Sequence, residues 1–352
     1  MNEKIIWLRN KIKSLEMDGM IVSNPVNINY LTGIEAEGML ILTRKENYYI
    51  TDSRYVEAVN STLTVDDEII VCDVKNLSKE DYENFFLFCT NVGFEENYLT
   101  YAKYKEYMYK FRINNFVETE RIIEKQRAIK DQKEIEYITK ACNITDDCFE
   151  YIIKYIKIGM TEKEIADEIE RFYKSKGVEL SFDTIVASGP NSSMPHAVPT
   201  ERKIKEGDVI IIDMGCKYNG YCSDMTRTIF VKYVNDFIKP IYELVLKNQK
   251  QTLNQMYEGS ICKNIAKAVI NDFQINKCEL IHGLGHSVGL EIHEIPTLSQ
   301  NSEVVLKNNM VITDEPGIYE AGRFGVRIED TVLVGKSMGI PLTKSSKEYI
   351  II

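Results

Sequence analysis

The chain has 352 residues, 44% hydrophobic and 27% charged, with a net charge of −10. Domains commonly run about 100–200 residues, so this length accommodates two units, each with its own core. The acidic balance lacks the clustered Lys and Arg that phosphate binding requires, and no apolar run is long enough to span a bilayer, which sets aside nucleic acid and membrane as partners.

The first segment, MNEKIIWLRNKIKSLE, places Ile5, Leu8, Ile12 and Leu15 at amphipathic-helix spacing and holds no apolar core of signal-peptide length. Gly19 and the apolar run Met20-Ile21-Val22 follow, then an Asn24-Pro25 turn and strand-like runs at 39–43, 48–51 and 69–74. This is the pattern of a mixed α/β unit. Near FVETERIIEKQRAIKDQKEIEYI the texture becomes that of a long charged helix, which sets a domain boundary near 122–130 and units of 1–122 and 123–352. Asp131 with Glu134 fits a capping box, followed by Ile135, Ile138, Cys142, Thr145 and Phe149 at helical spacing. Thr161 and Glu164 repeat the signal ahead of Ile165 and Ile169. After Gly177 the patterning turns to strands at 181–188 and 209–230, then to helices at roughly 237–257 and 261–273, and finally to strands near 310–314 and 326–334. Helices followed by strands, twice over, predict an α+β domain with helices on antiparallel sheet.

The stretch VIIIDMGCKYNGYCSDMTRTIF (209–230) reads as a hairpin, because Asn219-Gly220 tolerates the positive φ of a two-residue type I′ turn. Thr226 then lies opposite Asp213 and Gly215 opposite Asp224, so both aspartates share one face as diagonal neighbours. Two carboxylates on a half-buried face repel unless a cation or proton intervenes. By the same register Cys222 lies on the aspartates' face and Cys216 on the other, so the pair cannot form a disulfide. The eight cysteines as a whole lack CxxC pairs, which argues against a zinc knuckle or disulfide framework and for a reducing cytoplasm.

All four histidines fall in the second half: His196 in SMPHAVP, His282 and His286 in IHGLGHSVGL, and His293 in EIHEIP. Gly283, Gly285 and Gly289 argue against a helical zinc pair and for a glycine-rich loop or strand. Glu315 stands before the proline that ends a strand, while Arg327 and Glu329 alternate with Val326 and Ile328 in what reads alone as an edge strand. Asp213, Asp224, His286, Glu315 and Glu329 make a candidate set of one imidazole and four carboxylates, an oxygen-rich combination that suits manganese better than structural zinc. Two divalent cations would balance the four carboxylates, which points to a two-metal hydrolytic site.

With those blocks in view, the sequence resembles the pita-bread metallopeptidases, and within them the short bacterial Xaa-Pro peptidases, aminopeptidase P and proline dipeptidase. NPVNINYLTGI and ITDSRY resemble the amino-terminal domain of that group, and IDMGCKYNGYCSDMTRTIFV, HGLGHSVGLEIHE, DEPGIY and VRIED its catalytic blocks. The resemblance implies a pita-bread catalytic domain behind a smaller α/β creatinase-like domain. It implies that Asp213 chelates one ion, His286 and Glu315 the other, and that Asp224 and Glu329 bridge both. It further implies that His196 and His293 meet the scissile carbonyl and the developing oxyanion, and that His282 lies near the proline-side pocket. Glu315 would also carry the proton, and Arg327 would orient the site. Expected with these roles are two divalent ions (manganese, with cobalt or zinc possible), proline-containing peptide substrates and a homodimer. A metal-free creatinase-like hydrolase and a non-catalytic binding module are the alternatives on the same fold, and retention of all five ligands speaks against both. Methionine aminopeptidase shares the catalytic blocks but usually lacks the extra amino-terminal domain. Between dipeptide and longer peptide the expectation leans to an aminopeptidase-type or broad Xaa-Pro peptidase with dipeptidase activity, and the length preference stays open.

Overall fold

The computed structural model describes residues 3–63 and 68–352, and the chain divides into two compact units, Met1–Arg127 and Ala128–Ile352. The first unit is built on a six-stranded mixed sheet of β1 (Gly19–Val22), β2 (Gly38–Thr43), β3 (Asn47–Thr51), β4 (Ile69–Asp73), β5 (Asn91–Phe94) and β6 (Asn115–Glu118), in the order β4-β3-β2-β1-β5-β6. Its helices are α1 (Glu3–Ser14), α2 (Pro25–Thr32), α3 (Val56–Thr62), α4 (Lys79–Asn84), α5 (Tyr101–Lys110) and α6 (Ile122–Arg127). Helix α1 buries Ile5, Leu8 and Ile12, whereas Leu15 lies past the helix end and is 42% exposed. Asn24-Pro25 is a helix start rather than a turn: the Asn24 side chain accepts the Val26 N–H, and Pro25 occupies a first-turn position where no amide hydrogen is missed.

The second unit repeats one plan. Helices α7 (Gln132–Tyr155) and α8 (Glu162–Ser175) precede strands β7 (Glu179–Leu180), β8 (Ile185–Ser188), β9 (Val209–Met214), β10 (Cys216–Tyr218), β11 (Tyr221–Cys222) and β12 (Met225–Phe230). Helices α9 (Lys239–Leu253) and α10 (Cys262–Ile275) precede β13 (Gly285–Ser287), β14 (Glu294–Leu298), β15 (Val311–Asp314), β16 (Gly317–Glu320), β17 (Phe324–Arg327), β18 (Asp330–Val334) and β19 (Gly339–Pro341). Both expected capping boxes form at the starts of α7 and α8. The α7 stripe Ile138, Cys142, Thr145 and Phe149 is buried, and Phe149 packs with Ile165 and Ile169 of α8 against Ile210, Ile212 and Ile229 of the sheet β12-β9-β8. Val269 and Phe273 of α10 and Val245 of α9 do the same with Ile312, Val326 and Val332.

The two halves match closely at their helix starts. Gly159, Glu162 and Lys163 donate to the carbonyls of Ile204, Arg202 and Thr200, and Gly259, Cys262 and Lys263 donate to those of Leu306, Val304 and Ser302. The expected edge-strand character of 326–329 does not hold, since Val326, Arg327, Ile328 and Glu329 are all buried. Val326 and Ile328 sit in the core while Arg327 and Glu329 face a cluster of carboxylates.

Candidate metal centre

The hairpin forms in the expected register. Thr226 pairs with Asp213, Met225 with Met214, and Tyr218 with Tyr221, around Asn219 and Gly220 with φ of 48° and 82°. The ladder breaks at Gly215 and Asp224, where a Cβ on Gly215 would overlap the Ser223 carbonyl. Freed from the ladder, the Asp224 N–H donates to Thr331 Oγ1 at 3.1 Å, and that hydroxyl donates to the Asp224 carbonyl at 2.7 Å. One threonine thus ties the aspartate to β18. Cys216 and Cys222 are free and point into different surroundings, Cys216 Sγ toward the Ala141 carbonyl and Cys222 Sγ toward that of Leu290.

His286 enters from β13, whose Gly285 lies so close to β15 that a Cβ would overlap the Thr313 carbonyl. Its Nε2 is 3.6 Å from Asp224 Oδ2 and 3.5 Å from Glu315 Oε1. Asp224, His286 and Glu329 each present a donor atom within 4.8 Å of the others. Glu329 Oε2 accepts the Thr226 hydroxyl at 2.7 Å, and Thr313 Oγ1 donates to Glu315 Oε1 at 3.3 Å. Arg327 reaches Asp213 Oδ2 at 2.6 Å, Thr226 Oγ1 at 3.0 Å, the Tyr319 hydroxyl at 2.7 Å and the Pro195 carbonyl at 3.2 Å. The second Asp213 oxygen is buried with no hydrogen-bond partner among the described residues. An orphaned carboxylate oxygen beside three more acids and an imidazole is a donor set that fits divalent cations.

Residues 136–336 match the model of metallopeptidase family M24, and residues 5–129 that of the creatinase/prolidase N-terminal domain. The chain belongs to metallopeptidase family M24. It is 37% identical to the Xaa-Pro dipeptidase of Pyrococcus furiosus, over 99% of this chain and 100% of that one. A solved Xaa-Pro dipeptidase from Bacillus anthracis matches with a TM-score of 0.93 at 36% identity, covering 99% of each chain. The X-Pro aminopeptidase from Thermotoga maritima matches with a TM-score of 0.88 at 28% identity, covering 97% of this chain and 100% of that one.

In this M24 peptidase the acids crowd one another. Burial, then the charges of Glu329, Asp213 and Glu315, hold the Asp224 carboxyl well above its ordinary range. Burial and the charges of Glu315 and Asp213 do the same to Glu329, and burial, opposed by Arg327, lifts Glu315 to about 7. Each shift marks a carboxyl that prefers a proton to bare charge, the electrostatic condition that a bound cation relieves. Burial and the charge of His293 push His286 down to about 4, which leaves a neutral imidazole with a lone pair to offer.

Two other histidines of the peptidase, His282 and His293, adjoin this cluster. The His293 ring lies 4.3 Å from that of His286. His282 Nδ1 is 2.7 Å from the Gly283 carbonyl, which can only accept, so its Nε2 holds the lone pair that meets the Tyr319 hydroxyl at 3.1 Å. Burial, then the charges of Arg327 and His196, pushes His282 down to about 4, which places His196 within electrostatic reach of the same group. Tyr319 escaped the sequence reading. A usable signal was present: the Gly322 turn sets a hairpin in which Gly317 pairs with Arg327, making Tyr319 a diagonal neighbour of Arg327 on the same face. Lys130 was also missed. Its ammonium, 1% exposed, donates to Ser287 Oγ and Glu294 Oε2, both at 3.1 Å, bridging the residues that follow His286 and His293.

Proposed function

We propose that this chain hydrolyses Xaa-Pro bonds, in dipeptides first of all, with two divalent ions held by Asp213, Asp224, His286, Glu315 and Glu329. The observation that carries the reading is the 3.5–3.6 Å approach of His286 Nε2 to Asp224 and Glu315 beside the orphaned Asp213 oxygen. Its substrate class is supported by the relatives named Xaa-Pro dipeptidase, which match over nearly the whole chain. Four carboxylates and one imidazole favour manganese over zinc, with cobalt a workable substitute. When bound, such ions supply Lewis acidity and bring the pKa of water near neutrality.

The chain's own residues do the rest. Arg327 fixes Asp213 while Thr226 fixes Glu329, so the carboxylates are aimed before any ion arrives. Glu315 takes the proton of the attacking water and delivers it to the prolyl nitrogen, which must be protonated to leave as a secondary amine. His293 and His196 stabilise the oxyanion, and neutral His282, held by Gly283 and Tyr319, lines the proline side. A bond to proline nitrogen carries no N–H, so a site that works through cations and imidazoles does not need the hydrogen bond that ordinary peptides offer. A metal-independent hydrolase would have no use for five convergent ligands. The eight free cysteines fit a cytoplasmic location, and a homodimer is the assembly proposed. The test is hydrolysis of alanyl-proline against alanyl-prolyl-alanine: preference for the dipeptide supports the proposal, and cleavage of neither overturns it.

A further inference from the structure

Glu162 is a fully buried carboxylate that the proposed chemistry does not use. It opens α8, where the helix dipole favours negative charge. Its Oε1 accepts the Ser188 N–H and the Ser188 hydroxyl, each at 2.7 Å, and Asn191 Nδ2 at 3.2 Å. Its Oε2 accepts Asn191 Nδ2 and the Thr200 N–H, each at 3.0 Å, and the Thr200 hydroxyl at 2.6 Å. Ser188 and Thr200 are the two ends of the segment that carries His196. Between them the segment rests on the hairpin of Arg327: Ser192 accepts the Gly325 N–H at 2.8 Å, and Pro195 accepts from Arg327 at 3.2 Å.

The architecture itself does not require this carboxylate. In the second half of the unit, the position with the same backbone bonds is Cys262, a buried member of the apolar core, and that helix starts as well without an acid. A buried charge is costly unless donors surround it, so its presence in one half only calls for a reason local to that half.

We propose that Glu162 is a positioning residue for peptide hydrolysis, clamping both ends of segment 188–200 and so fixing where the His196 imidazole stands. The inference rests on the reading that His196 meets the substrate. Glu162 never touches substrate or ions; it acts through the loop.

The experiment is a double-mutant cycle on the full metal-loaded chain with alanyl-proline as substrate. E162Q, H196A and E162Q/H196A are each assayed for kcat, KM and bound metal. Gln keeps the shape of Glu162 but turns a donor toward Ser188 or Thr200. Expected is a loss of about 10- to 100-fold in kcat/KM for E162Q, divided between kcat and KM as in H196A, with metal content unchanged. In the H196A background E162Q should cost no more than about twofold, because the imidazole it positions is gone. An equal loss in both backgrounds, loss of bound metal, or wild-type activity of E162Q would overturn the clamp. H196A at the wild-type rate would instead overturn the role of His196, and the clamp with it, whatever E162Q does. If E162Q does not fold, T200V removes the hydroxyl that donates to Glu162, and with it an acceptor of the Arg202 N–H, while keeping the Thr200 N–H bond to Glu162, and the same silence in the H196A background is the required result.

Discussion

Replacing Asp224 by Asn keeps the shape of the side chain and removes one charge from the carboxylate cluster. D224N is therefore expected to lose at least about 100-fold in activity through weaker ion binding. Its metal-free melting temperature should be no lower than that of metal-free wild type, because a repulsion has been relieved. Full activity with wild-type metal content would remove Asp224 from the ligand set. The candidate ligands could be named from the sequence because carboxylates inside apolar stretches are conspicuous, as Asp213 is after Ile210, Ile211 and Ile212. The hydroxyls that aim them could not. Thr226, Thr313 and Thr331 are ordinary strand residues until the fold shows that Thr226 meets the Glu329 carboxylate, Thr313 that of Glu315, and Thr331 the backbone of Asp224.

At the scale of elements, the Asn219-Gly220 turn made the register of 209–230 readable in advance, since two left-handed residues leave one way to fold the hairpin back. Elsewhere the local signals misled. Asn-Pro is a turn signal and a helix-start signal alike, and here the Asn24 side chain that accepts the Val26 N–H makes it a helix start. The β13–β14 pair shows a different limit. Its register shifts between His286 and Ser287, and Ser287 pairs with Glu294 where both are hydrogen-bonded by Lys130, a residue far away in sequence. Removing one partner of a buried ion pair costs about 3–5 kcal/mol, so K130M should be strongly destabilised. The double variant K130M/E294Q, which leaves no unpaired charge, should regain most of that loss. Urea denaturation of the four proteins checks it, and additive destabilisation would mean that the pair is not coupled.

For the molecule as a whole, the sequence conveyed an α/β unit followed by an α+β unit, because hydrophobic periodicity reports element type directly. The convergence of β9, β13, β15 and the β17–β18 link on one cluster was legible through the candidate ligand set and the family resemblance but not through periodicity, since it depends on pairings across more than a hundred residues. That convergence gives the metal-free protein a pH-dependent weakness. Asp224 and Glu329 are raised well above their ordinary values and Glu315 to about 7, so the folded state holds protons that the unfolded chain has already released above about pH 4.5. Groups raised in this way lower stability as pH climbs toward their folded values. His282 and His286, pushed down to about 4, penalise the fold only below the ordinary imidazole value of 6.5. Between pH 6.5 and 8 the histidines drop out, and the melting temperature of chelator-treated protein should fall more steeply than that of manganese-loaded protein, in which Glu95, also raised to about 7, and Asp314, raised well above its ordinary value, still contribute. Parallel curves would argue against a buried cation site. The most direct measurement is the rate of alanyl-proline hydrolysis as manganese is added back to chelator-stripped protein. No activity at the start and a rise that levels off near two equivalents per chain are expected; hydrolysis that survives chelation, or none at any manganese concentration, would contradict a metal-dependent Xaa-Pro peptidase.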